Sequence, residues 1–420
     1  MQSEPEEIIY LYGLRRFGMK LDLSIMEEFI KRVGNPHEGM HFAHIAGTNG
    51  KGSVASYIYH IMRRKYRVGL YTSPHIRRFT ERIVVNEGEI EEDYVVKFVR
   101  KYRPYIEALA KSMRNPTFFE VTTAMALKYF RDMNVDFAVL EVGLGGRLDA
   151  TNIVVPDVSA ITTIDLEHTH LLGKSIEKIA REKAGIIKSG VPVIVGERKK
   201  KARRVIEKIA EKKDAEYHNI HEECEFSDLE ITLDGMRFTA STPVREYRIR
   251  TRMLGVHQVY NSLVAIRMAE MLEENHSITR REIEEGIANT LWRGRFEIKS
   301  RDPLLIYDGA HNPAGARILA DTLRRLNLRN ITLLFSMLGD KDAGKFLRYF
   351  RNIAARVVVS EINYHRRMPL EKLVNYASQY FEEVIPIRDP CEALAKAREY
   401  GPVIATGSIY FLGDLEGCQR

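Results

Sequence analysis

Gly47-Thr48-Asn49-Gly50-Lys51-Gly52-Ser53 stands between two segments of opposite character. Before it, Phe42-Ala43-His44-Ile45-Ala46 has the length and apolar content of a buried strand; after it, 54–62 reads as a helix. A glycine-rich turn from strand to helix points several backbone N–H groups one way. With the helix dipole and Lys51 they make an anion site, for which phosphate is the natural ligand. The common pattern G-x-x-x-x-G-K-[ST] asks for glycine at Ile45 and a hydroxyl at Gly52. Here the glycine, Gly47, and the hydroxyl, Ser53, both come later, as expected of a particular subtype of nucleotide loop.

Downstream, Val68-Gly69-Leu70-Tyr71 is a short strand running into Thr72-Ser73-Pro74-His75, and Arg82–Asn86 with Glu87-Gly88 suggests a hairpin. A helix is expected over 91–113, and a second from Thr117 to about 132, with Thr117 and Glu120 at capping-box spacing. Residues 136–142 form a buried strand with Glu141 near its end, followed by Gly143-Leu144-Gly145-Gly146-Arg147. An acid so placed downstream of a nucleotide loop is the Walker-B arrangement for holding magnesium. A Rossmann reading fails on the glycine spacing. Strand 158–164 ends at Glu167-His168-Thr169-His170, whose two histidines should approach Glu141. Ser175 caps a helix through Ile187, 191–195 is a strand, 200–213 a charged helix, and 226–251 alternates like β-structure. Upstream, 8–33 reads as helical, with Ile8, Leu11, Leu14, Leu21, Ile25 and Phe29 as its apolar stripe, broken near Gly18.

Strands and helices thus alternate over roughly 250 residues, which predicts a mainly parallel α/β sheet with ligand groups at the strand C-termini. Helices follow at 257–272 and 278–289, and Trp292-Arg293-Gly294-Arg295 interrupts the pattern. A new alternation then begins, with strands near 303–307, 331–336, 355–360, 383–387 and 402–406 and helices between them. The expected architecture is an N-terminal P-loop-type sheet domain, 1–295, and a smaller Rossmann-like α/β domain, 296–420.

The 420 residues are 45% hydrophobic and 29% charged, enough for several cores and a soluble surface. The net charge of +7 suits anionic partners such as nucleotides or polycarboxylates. The basic runs Arg63-Arg64-Lys65 and Arg198-Lys199-Lys200-Lys201 read as solvated helix ends, so nucleic acid is not expected. No run approaches the ~18 apolar residues of a membrane span. Arg15 and Arg16 interrupt the apolar core a cleavable signal needs. Cys224, Cys391 and Cys418 are too few and scattered for a disulfide framework or a CxxC metal site, and a reducing cytoplasm is expected.

Taken in order, several stretches resemble the folylpolyglutamate synthase/dihydrofolate synthase family of the Mur ligase superfamily. They are Ala46–Ser53, Thr72–His75, Thr117–Glu120, Glu141–Asn152, Glu182–Lys188, His257-Gln258, Asp308–Pro313, Asp340–Asp342 and Gly407-Ser408. The resemblance implies an ATP-dependent ligase that joins L-glutamate to a folate or dihydropteroate carboxylate through an acyl phosphate, acting as a monomer. It implies that Gly47, Thr48, Asn49, Gly50, Lys51 and Gly52 hold the phosphates. Ser53 and Glu141 would bind the first magnesium and His168 a second, with His170 where an acid is common. Lys183 matches a lysine that becomes carbamylated. Arg295 matches an interdomain arginine on the γ-phosphate, although Arg293 replaces the usual proline. Asp308 and His311 match ribose contacts and Asn261 an adenine contact. Ser73, Arg82, Thr117, Phe119, Asp149 and Ser408 fall in stretches used for pterin or glutamate, although Thr117 and Phe119 equally fit a helix cap and a core position. Two rivals remain: a related ligase with another acceptor, and a P-loop switch or nucleic-acid-dependent ATPase. The second gives no reason for a further domain carrying Asp308-Gly309-Ala310-His311-Asn312-Pro313.

Overall fold

The computed structural model describes residues 5–18, 22–86 and 88–418. The first sheet holds β1 (His41–Ala46), β2 (Val68–Tyr71), β3 (Ile83–Val85), β4 (Gly88–Glu89), β5 (Phe137–Glu141), β6 (Val158–Ile161), β7 (Val193–Val195) and β8 (Tyr217–Asn219). Its order is β4-β3-β2-β5-β1-β6-β7-β8. From β2 to β8 the pairing is parallel; β3 and β4 add an antiparallel hairpin at one edge. β1 is fully covered except at its first residue, as the apolar run requires. Ile45 pairs with Glu141, and Ala46 with Ile161. This register puts the loop after β1, the acid ending β5 and the turn after β6 side by side at one end of the sheet. That is where an open α/β sheet binds its ligand.

β9 (Glu225–Thr232), β10 (Gly235–Ser241) and β11 (Glu246–Thr251) form a separate antiparallel sheet. Its alternating inward residues, among them Phe238, Tyr247 and Ile249, join one core with Ile58 of helix Lys51–Met62 and Ile283 of helix Arg280–Ala288. The third sheet contains β12 (Glu297–Arg301), β13 (Leu304–Asp308), β14 (Ile331–Phe335), β15 (Ala354–Val359), β16 (Glu383–Pro386) and β17 (Val403–Thr406). Its order is β12-β13-β17-β14-β15-β16, parallel except for β12.

Three features sharpen or correct the expectations. The 8–33 segment, expected helical with a break near Gly18, comprises Glu6–Gly13, a 3-10 turn Leu14–Phe17, and Ser24–Val33. Gly18 ends the turn at φ 66°, a conformation glycine adopts without strain. β12 was not anticipated, because its residues are half-exposed and lack alternation. Cys391 and Cys418 form a disulfide, with Cα atoms 5.2 Å apart. One lies at the start of helix Pro390–Arg398 and the other at the end of helix Ile409–Gly417, and the packing of those helices brings them together. Their separation of 27 residues carried no sign of it. Leu21 and Glu87 lie outside the described residues. Among the described residues, no helix is long and apolar enough to cross a membrane.

Candidate active site

The loop after β1 is tied down on one side and open on the other. Thr48 N–H donates to Thr163 O at 2.6 Å, and Thr162 Oγ1 donates to Asn49 O at 2.8 Å. Gly47 has φ 148°, and a Cβ there would lie 1.8 Å from Thr162 Oγ1, so only glycine fits. Gly50, left-handed at φ 94°, opens helix Lys51–Met62, and a Cβ on it would meet Asn261 Oδ1 at 2.6 Å. Lys51 folds over its own loop, its Nζ donating to Gly47 O at 3.1 Å and Thr48 O at 3.3 Å. Ser53 is buried and accepts from Gln258 Nε2 at 3.2 Å; Asn261 Nδ2 donates to Gln258 Oε1 at 2.9 Å. Gln258 went unassigned in the sequence, although it sits one helical turn before Asn261 on the same face.

Beside the loop, the buried Glu141 carboxylate accepts one hydrogen bond, from Ser73 N–H at 3.0 Å. Burial raises its pKa, against the charges of Lys51, Arg295 and Arg82. Arg82 is buried too; its Nε donates to His75 Nδ1 at 2.8 Å, and its guanidinium lies 5.1 Å from the Phe118 ring centre. Burial and the guanidiniums of Arg82 and Arg15 push the His75 pKa down to about 2, so the ring is neutral.

Lys183, at the end of helix Ile176–Lys183, is buried and donates from Nζ to Gly47 O at 2.7 Å. Burial, with the charge of Lys51, lowers its pKa from 10.5 to about 7. A substantial neutral fraction therefore exists near neutral pH, which an ordinary lysine lacks.

The opposite wall comes from the C-terminal half. Asp308, at the end of β13, accepts from Phe296 N–H and Ala310 N–H, each at 2.9 Å. Burial raises its pKa, and Arg295 opposes the rise. His168 has left-handed backbone at φ 49°, uncommon for a non-glycine residue. Its neighbour Glu167 sits 3.7 Å from His311 Nε2 and 3.6 Å from Lys341 Nζ. Burial works against ionisation of Glu167, but the nearby His311, with His168 and Lys341, outweighs it and holds the carboxyl far below its usual range. Asn312 Nδ2 reaches Asn49 Oδ1 at 3.4 Å, a second bridge between the halves. Glu167 and Lys341 carried no assigned role in the sequence, because their meeting depends on how the halves face each other. His170 also lines the cleft.

Three residues expected near substrate have side chains engaged in local structure. Thr117 caps helix Phe118–Asp132, its Oγ1 accepting from Glu120 N–H at 3.3 Å and donating to Glu120 Oε2 at 2.8 Å. Asp149 accepts from Leu144 N–H at 2.8 Å and Thr151 Oγ1 at 2.6 Å, which folds the glycine-rich turn after β5. Ser408 caps helix Ile409–Gly417. Phe119 packs its ring against Gly143, where a Cβ would come within 2.6 Å. All of these, and every other residue singled out from the sequence as a site residue, border a single cleft of about 660 Å3 between the two halves. Arg15, Asp22, Tyr364, Arg366 and Tyr410 also border it and were not anticipated.

A phosphate loop with a buried acid beside it faces a second α/β unit across a cleft, the layout of a two-domain enzyme that acts on a nucleotide between its halves. Residues 45–269 match the Mur ligase middle domain and 294–408 the Mur ligase, glutamate ligase domain. The dihydrofolate synthase/folylpolyglutamate synthase of Bacillus subtilis is 34% identical over 417 residues, covering 97% of this chain and 96% of that protein. The crystal structure of folylpolyglutamate synthase from Thermotoga maritima superposes with a TM-score of 0.88 at 38% identity, over 98% of this chain and 95% of that one. That of Mycobacterium tuberculosis folylpolyglutamate synthase, complexed with ADP and AMPPCP, gives 0.90 at 28% identity over 99% of both chains. This chain belongs to the folylpolyglutamate synthase/dihydrofolate synthase family.

Proposed function

We propose that this chain uses ATP to join L-glutamate to the carboxylate of a folate, a dihydropteroate, or both, releasing ADP and phosphate. One observation carries the reading. The phosphate loop, the buried Glu141 and the group Arg295, Asp308 and His311 all open onto one cleft between the two halves. The nucleotides in the M. tuberculosis relative support ATP as the phosphoryl donor.

In this reading the amides of Gly47 to Gly52 and the Lys51 ammonium hold the β- and γ-phosphates, once Lys51 leaves the carbonyls it now contacts. Asn261 faces the adenine, Asp308 and His311 the ribose, and Arg295 the γ-phosphate. An acceptor carboxylate oxygen attacks the γ-phosphorus in line, the bond to the ADP oxygen breaks, and an acyl phosphate forms. The glutamate amine then attacks the acyl carbon, phosphate leaves, and the nitrogen gives up a proton. Closure of the C-terminal half over the loop excludes water, which would hydrolyse the acyl phosphate. Ser73, Arg82 and Phe119 line the acceptor end of the cleft, and Thr117, Asp149 and Ser408 hold its walls in shape.

Ser53 and Glu141 suit a first magnesium ion and His168 a second. Glu141 supports the fit: a buried carboxylate with one N–H partner retains acceptor capacity that a hard cation satisfies. Magnesium, when bound, neutralises charge gathering on the transferred phosphoryl group. Lys183 is proposed to be carbamylated: its neutral Nζ attacks carbon dioxide, a C–N bond forms, and the nitrogen loses a proton. The lowered pKa supports this. The division at 295/296 fits the start of the third sheet at Glu297.

The test is mass spectrometry of the products after incubation with ATP, magnesium, L-glutamate, and either dihydropteroate or a tetrahydrofolate. The expected product carries one added glutamyl group with at least one acceptor. Absence of a glutamyl adduct with both would overturn the proposal.

A further inference from the structure

At the other end of β1, a strand length of about 17 Å from the phosphate loop, three side chains that the ligase reading does not use converge. His41 opens β1, Asp157 precedes β6, and His276 ends helix Val256–His276. His41 Nδ1 is 2.8 Å from Asp157 Oδ1, and His276 Nε2 is 3.8 Å from the same oxygen. One ligand atom from each residue lies within 4.8 Å of the others. The second carboxylate oxygen, Oδ2, accepts from Phe42 N–H at 2.8 Å, which fixes the carboxylate in the sheet.

His276 is the informative member. It is only 6% exposed, and its Nε2 has no hydrogen-bond partner. The 3.8 Å to Asp157 is too long for a hydrogen bond. A buried polar nitrogen without a partner costs stability, so the fold holds it there against a penalty. It points at a carboxylate and at a second imidazole, whose ring centre is 4.9 Å from its own and nearly perpendicular to it.

We propose that His41, Asp157 and His276 bind a divalent transition metal of the zinc or cobalt class. Two imidazoles and one carboxylate are a donor set for such ions rather than for magnesium. Small rotations of His41 and His276 would bring the three donors to tetrahedral spacing, with His41 giving up its hydrogen bond. His41 is exposed, so water can complete the shell. The ion would join the start of β1, the start of β6 and a helix C-terminus, where the helix dipole favours positive charge. Lys65, whose Nζ donates to Ser277 O at 3.0 Å, stands near enough to oppose it electrostatically. The role is a clasp beneath the first sheet, separate from catalysis.

The test uses the whole protein, stripped with a chelator and titrated with Zn2+ alone and then Co2+ alone. Calorimetry reads stoichiometry, cobalt absorption reads geometry, and thermal unfolding reads stabilisation. The expected result is one bound ion with tetrahedral cobalt bands and a raised melting temperature. His41→Ala, an exposed change, should weaken binding at least about tenfold and abolish the thermal shift, with ligase activity kept. His168→Ala, which removes a competing imidazole in the cleft, should leave this binding in place. No binding, or binding that His41→Ala and Asp157→Asn leave unchanged, overturns the proposal.

Discussion

Lys183→Met, at nearly constant volume, removes a buried amine and isolates what its titration contributes to the fold. In the folded chain the Lys183 pKa is about 7 against an ordinary 10.5, because the site is buried and Lys51 is near. Between those values the unfolded chain binds more protons than the folded one. Stability therefore rises with pH through that window and is lowered as pH falls towards 7. At about 1.4 kcal/mol per unit, and with the folded group half-titrated at the start, the gain from pH 7 to pH 9 is about 2 kcal/mol. Urea unfolding of both proteins in buffer free of carbon dioxide measures it. The difference between wild type and Lys183→Met should shift by about that amount in favour of wild type as pH rises. Adding bicarbonate should stabilise wild type further and leave the variant unmoved. Equal pH dependence in both would refute a neutral lysine, and with it the physical basis for carbamylation.

Lys51→Ala and Glu141→Ala should each lower ligation at least about a hundredfold while circular dichroism stays native; full activity in either rejects its phosphate or metal role. Gly47→Ala drives a Cβ to 1.8 Å from Thr162 Oγ1. It should cost about 1–3 kcal/mol in urea unfolding and impair nucleotide binding measured by calorimetry. Cys391→Ser opens a cross-link spanning 27 residues. By loop entropy it should lower stability by about 3–4 kcal/mol without reductant and have little effect with it; equal effects in both conditions would contradict the cross-link.

What could be read from residues alone was whatever depends on neighbours in the chain. The buried run before Gly47, the acid ending β5, and Thr117 with Glu120 at capping-box spacing each specify their own conformation within a few residues. The second β/α alternation was legible because its strands are apolar and bounded by turns. β12 was not, since an edge strand of half-exposed Glu, Ile, Lys, Ser and Arg has neither alternation nor an apolar run. Asp149 and Ser408 could be assigned to the cleft, but not the caps that occupy their side chains. Glu167 meeting His311 and Lys341, and Cys391 meeting Cys418, depend on contacts between elements far apart in the chain. Nothing local encodes those distances. The loop subtype was nonetheless informative: the displaced Ser53 meets Gln258 and stands where Glu141 and the opposite wall converge.

The central claim is that nucleotide turnover is coupled to formation of an amide bond. ADP release is measured with the complete mixture, and then with the pteroate or folate acceptor, L-glutamate, or magnesium each left out. Sustained ADP release, beyond one equivalent per protein, is expected only when acceptor, glutamate and magnesium are all present, with no stimulation by DNA or RNA. Steady turnover without glutamate would contradict it.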